Sequence, residues 1–155
     1  MTHAEAAAGQ GRDDAPRALT AVVAFGFALG ASGVVFPLLA LDHGIAPAIV
    51  GLLVAASGAT HLTSRLLLPW LLARVHDRTL MAFAAASLAL SAAVLLVTTS
   101  LGTFIAAQAL NGLARALFWT SNQTHLVRGK GIPIRRLAQS QMASHVGGLA
   151  GPTLA

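Results

Sequence analysis

Between Arg17 and Asp42 the chain runs twenty-four residues, Ala18 to Leu41, without a charge. At about 1.5 Å of rise per residue, a helix of that length crosses the roughly 30 Å hydrocarbon core of a bilayer. The run is too long for the apolar segment of a secretory leader, which takes about 7–15 residues, and no convincing cleavage site follows it. A helix without a polar face has no side to offer water. The feature recurs four times, from about Ala48 to Ala73, Thr79 to Val97, Thr103 to Val127 and Leu137 to Ala155, with charges only at Arg65 and Arg115. Composition points the same way. The 155 residues are 55% hydrophobic and 10% charged, against about 25% charged in an ordinary soluble domain. Fifteen charges do not coat a water-soluble globule of this length. The predicted fold is an all-α membrane protein of five transmembrane helices at about 18–41, 48–73, 79–97, 103–127 and 137–155. Residues 1–17 form a tail with too little apolar content to fold alone, expected to be disordered.

The connecting segments order these helices across the membrane. Asp42, His43, Gly44 and Pro47 make the first turn, with glycine and proline as breakers. Lys and Arg cluster in alternate segments: Arg12 and Arg17 in the tail, Arg74 and Arg78 in the second loop, and Arg128, Lys130, Arg135 and Arg136 in the fourth. The first and third loops have none. Basic residues mark the cytoplasmic side. The expected topology is therefore multi-pass, with a cytoplasmic N-terminus and the far end of the fifth helix outside. The net charge of +5 does not signal nucleic acid, since the basic residues are dispersed between apolar runs and tyrosine is absent. The chain has no cysteine for disulfides or thiolate sites, and its six histidines lack a metal-ligand spacing. No glycine-rich phosphate loop, GxSxG elbow or carboxylate pair appears. Membrane lipid is the expected surrounding partner; no metal, cofactor or enzymatic activity is expected.

Polar residues inside the apolar stretches carry the functional information. A charged side chain at bilayer depth costs several kcal/mol by insertion scales, so it faces a partner or a hydrated cavity. Arg115 lies near mid-depth of the fourth stretch. At 100° per residue, Gln108, Asn111, Arg115, Trp119 and Asn122 fall within an arc of roughly 80°. That stripe suits a cavity contacting a polar or anionic small molecule; a structural network satisfying the guanidinium is the competing reading. In the second stretch Ser57, Thr60, His61 and Ser64 form another stripe beside Arg65, whose long stem is able to snorkel toward the interface. His61 is a candidate for a coupling proton, because imidazole changes charge near neutral pH. Asp42, at the rim of the first helix, is the other candidate, since no Asp or Glu lies within any apolar stretch. Asp77 is placed to cap the third helix and complement its dipole. Gly26-x-x-x-Gly30 and Gly147-x-x-x-Gly151 put small residues on one helical face, where backbones approach closely.

The order of these features resembles the N-terminal half of a major facilitator superfamily transporter, over about Leu19 to Ala155. Phe36 to Gly44, followed by Ile49-Val50-Gly51-Leu52-Leu53, looks like the family's first loop and the start of its second helix. Asp77 and Arg78 match the end of the family's glycine-x-x-x-aspartate-arginine motif between helices two and three; Ala73 stands in place of its glycine. Gly147, Gly151 and Pro152 are similar to the core of the fifth-helix motif of antiporter members. The resemblance implies two six-helix bundles rocking about a central site, with helices one and four lining it. It implies a secondary active, efflux-type carrier working by alternating access. The chain is then expected to be the front of a longer transporter, cut in or at the end of its fifth helix, lacking its C-terminal half and unable to transport alone. Two other readings stand beside it: a non-catalytic small membrane protein or accessory subunit, and an intramembrane enzyme.

Overall fold

The structure, a computed structural model, describes residues 3–128 and 133–154, with side chains over 17–127 and 134–154. Five helices follow in order: α1 (His3–Asp42), α2 (Pro47–Leu72), α3 (Asp77–Val97), α4 (Leu101–Arg128) and α5 (Pro133–Leu154). No strand occurs among the described residues. The all-α, five-helix architecture is the one the apolar stretches imply.

The helices break where the backbone chemistry requires it. Gly44 adopts φ 77°, and Gly44 N and Ile45 N donate to Leu41 O at 2.9 Å and Ala40 O at 3.0 Å. That paired return of the chain is a Schellman motif, and its left-handed position suits glycine. Pro47 then opens α2, where the proline's missing N–H has no helical partner to lose. Pro133 opens α5 in the same way. At α3 the cap is His76, without a side-chain cap bond, and Asp77 is the first helical residue. Asp77 therefore does not cap α3 as expected; it complements the positive end of the helix dipole from inside the first turn.

The largest difference from the sequence reading is at the N-terminus. The backbone is helical from His3, through most of the span expected to be a disordered tail. Ala4, Ala6, Ala7 and Ala8 are strong helix formers. Adding a residue to an existing helix also needs no new nucleus, so a short segment too polar to pack still extends α1. Met1 and Thr2 of the tail, residues 129–132 of the basic fourth loop and Ala155 lie outside the described residues.

Packing divides the bundle into two groups. α4 packs along both α2 and α3, while α5 packs mainly along α1. Two apolar clusters lie at different levels of the bundle. One joins Val22, Phe25 and Leu29 of α1 with Leu68 of α2, Leu80 to Leu88 of α3 and Ala114 to Phe118 of α4. The other joins Phe36 and Ala40 with Val50, Leu53, Leu95 and Phe104. The early part of α1 thus lies level with the late part of α2, the early part of α3 and the late part of α4. That is the up-and-down order demanded by short loops. Along α2, α3 and α4, the buried polar residues Ser57, Ser91, Gln108 and Asn111 fall between the two clusters.

The outside of the bundle is apolar. Leu66 is 81% exposed and Leu96 88%, with Leu62, Trp70, Phe83 and Val97 also exposed. A surface of this kind belongs in hydrocarbon. Among the described residues, α1 over Arg17–Asp42, α2 and α3 are long and apolar enough to cross a membrane by length and composition. α4 and α5 are as long as those spans but carry more polar residues, and several of these point inward: Gln108, Asn111, Ser121, Asn122 and Ser140 are buried.

Candidate functional site

α1 and α5 meet backbone to backbone. A Cβ at Gly147 would strike Val23 O, and one at Gly151 would strike Phe27 O. From the other side, a Cβ at Gly26 would come within 2.8 Å of Ser144 O, and one at Gly30 would reach Gly148 O. Residue numbers rise together along both helices, so α1 and α5 run parallel. The two glycine pairs read from the sequence are thus the two halves of one interface. Pro152 sits at its end, its Cδ 3.1 Å from where a Gly30 Cβ would lie.

A second close approach fixes α4 on α2. At Gly112 a Cβ would strike Ser57 O and lie 3.0 Å from Thr60 Cβ and 3.1 Å from His61 N. The polar stripe of α2 therefore faces α4, one turn from Arg115. His61 lies within electrostatic reach of Arg65 and Arg115. Its Nδ1 is buried and has no hydrogen-bond partner among the described residues.

These two contacts leave a half-open cleft of about 330 Å³ where α1, α4 and α5 converge. α1 supplies Gly26, Leu29, Gly30 and Gly33; α4 supplies Arg115 and Trp119; α5 supplies Ser144, His145, Gly148 and Leu149. Nothing lies within 4 Å of a Cβ built at Gly33, so that wall is open space. Arg115 and His145 are exposed and Trp119 is half-buried. Phe25 and Phe118 stack with centroids 3.9 Å apart, and Trp119 sets its ring edge-on to both, at 6.2 Å and 5.2 Å. The aromatic cluster locks the indole at the base of the cleft, one helical turn from the guanidinium.

The expected α4 stripe splits. Arg115 and Trp119 line this cleft. Gln108 and Asn111 are buried in the bundle. Asn122 is 1% exposed, and its Nδ2 donates to Ser140 Oγ at 2.8 Å, tying α4 to α5. Gln108 projects between Arg115 and Trp119 in direction, so what separates it from them is depth along α4: the bundle is closed at the level of Gln108 and opens at that of Arg115 and Trp119. Asp42 is exposed at the end of α1. Fourteen residues of α2 separate its first residue, Pro47, from His61, about 21 Å of helix, so the two proton candidates do not meet. Asp77 and Arg78 are at the start of α3, away from the cleft. Gly147, Gly151 and Pro152 build the α1–α5 contact that forms one wall.

Ser144 and His145 were not among the residues the sequence singled out. The available signal was that His145 is the ionisable residue closest to the glycines of α5; its facing depends on the register of α5 against α1.

A family model described as the Major Facilitator Superfamily matches residues 18–155. The chain has no significant match among curated proteins or among solved structures.

Proposed function

The chain belongs to the Major Facilitator Superfamily, and from that premise we propose that it acts in small-molecule efflux, with the α1–α4–α5 cleft as its part of the substrate path. Members of this family are membrane transporters, and three of these helices are long and apolar enough to span a bilayer. The reading places the protein in the inner membrane with its N-terminus in the cytoplasm, because the basic residues gather in alternate loops. Lipid surrounds it, and the remainder of the path comes from a second bundle. Alternating access exposes Arg115 first to one side and then to the other, while His61, beside Arg115, carries a coupling proton.

The observation that supports this most directly is the exposure of Arg115 into a cleft between three helices of an otherwise apolar bundle. A guanidinium held there without function is costly. The test is Arg115→Ala in the complete natural reading frame, reconstituted in proteoliposomes and assayed for substrate efflux. Transport should fall at least about tenfold, a loss of roughly 1.4 kcal/mol of interaction, with membrane insertion unchanged. Wild-type flux in the variant would remove Arg115 from the path.

A further inference from the structure

The charge inventory of the cleft narrows its ligand. The five acids of the chain are Glu5, Asp13, Asp14, Asp42 and Asp77, so none lies in the walls contributed by α1, α4 and α5. The ionisable side chains in those walls are Arg115 and His145, both donors when protonated. Among the described residues the exposed guanidinium of Arg115 has no carboxylate partner, and His61 and Arg65 nearby add no negative charge. Such a site repels a cation and leaves five N–H donors to be satisfied by whatever enters.

The second half of the recognition is apolar. Trp119 lies four residues beyond Arg115, so the two side chains leave α4 on one face from backbone positions about 6 Å apart along its axis. Phe25 and Phe118, stacked on each other, pack against that indole as one pair, and Leu29 and Leu149 complete the lining. An occupant that uses both ends carries its charge about one ring's length from a flat apolar body. A guanidinium fork binds a carboxylate with two parallel N–H···O bonds, and an indole edge or face takes an aromatic ring.

Resting on the transport reading above, we propose that the cleft takes small aromatic carboxylates, with the carboxylate on Arg115, Ser144 and His145 contributing further donors, and the ring against Trp119. The sign of the selectivity is set by the missing acids, and its shape by the one-turn offset between Arg115 and Trp119.

Benzoate, benzamide and benzamidinium are nearly the same shape and carry −1, 0 and +1 charge, so they separate charge from fit. Binding of each is measured by calorimetry on the complete protein in nanodiscs, wild type and Arg115→Gln. Benzoate should bind at least tenfold more tightly than the other two, and Arg115→Gln should remove that preference while leaving weak, charge-independent binding of all three. Trp119→Ala should weaken benzoate and benzamide alike, a loss that a purely electrostatic site would not show. Preference for benzamidinium, unchanged benzoate affinity in Arg115→Gln, or no binding of any probe would overturn the assignment. The efflux assay with Arg115→Ala is independent of these probes, so a transporter with a different ligand class would pass that assay and fail this one.

Discussion

α1 with α5, and α2 with α3 and α4, are held together by different proportions of the same two means. Between α1 and α5 the contact is made by what is missing: Gly26, Gly30, Gly147 and Gly151 let two parallel backbones touch. In the other group one glycine, Gly112, seats α4 on the backbone of α2, and the rest of the contact is made by what is present, namely Leu68, Leu80, Leu88, Leu95, Phe104 and Phe118. In a bilayer this difference matters more than in water. Lipid tails are as apolar as leucine, so burying a leucine between helices gains little from transfer, and close packing supplies the association. The four-glycine contact of α1 with α5 is therefore the longest stretch of close backbone approach in the described bundle and tolerates added side chains poorly, and the cleft opens along its edge.

The largest effect should come from filling the glycine contact. Gly151→Leu places a side chain on Phe27 O and Ala31 N, backbone atoms that cannot yield. Overpacking costs up to about 3 kcal/mol even where side chains can adjust. The variant should lose the folded state in SDS titration of mixed micelles, or unfold at much lower detergent fraction. Gly51→Leu is the matched control. Gly51 is exposed with nothing within 4 Å of its Cβ, and removing a helical glycine is worth about 0.5–1 kcal/mol, so the control should be as stable as wild type or slightly more so. Equal destabilisation by both would erase the contrast between the two groups.

A middle-sized effect should follow from truncation in the other group. Phe104, 1% exposed, anchors the cluster of Phe36, Leu53 and Leu95. In a soluble core Phe→Ala costs about 3–5 kcal/mol. Here the solvent-transfer share is reduced because the unfolded reference stays in lipid, leaving lost packing contacts, about 2 kcal/mol. The same SDS titration should rank Phe104→Ala between Gly151→Leu and Gly51→Leu. A cost above that of Gly151→Leu would mean that side-chain packing, and not backbone approach, dominates the bundle.

Much of this contrast was legible in the chain itself, for reasons that separate cleanly. Helix positions follow from uncharged runs, a local property that needs no partner. The pairing Gly26-x-x-x-Gly30 and Gly147-x-x-x-Gly151 was legible as two small-residue faces, though not that each faces the other. The helical backbone from His3 is not legible from hydrophobicity, because a segment too polar to pack fits a disordered tail equally well, whereas alanine-rich sequence extends a helix without packing. On α4 the polar arc was visible, yet its division along the helix was not: Arg115 and Trp119 line the cleft while Gln108 and Asn111, further toward the start of α4, are buried. Ser144 and His145 escaped because facing is a property of helix pairs.

The smallest effect sharpens the seam between the groups. α4 and α5 touch little, and the Asn122 to Ser140 hydrogen bond is a fixed polar link across that seam. Asn122 Oδ1 and Ser121 Oγ are buried beside it with no partner among the described residues, so the link is under-satisfied. Hydrogen bonds between membrane helices couple by about 0.6 kcal/mol on average, because the separated helices find other partners in the membrane. A double-mutant cycle with Asn122→Ala and Ser140→Ala should return a coupling of about that size in SDS unfolding. A coupling near zero would show that α5 is carried by α1 alone. A value of about 1.7 kcal/mol, the upper end for such bonds, would make the seam a rigid joint and the two groups one body.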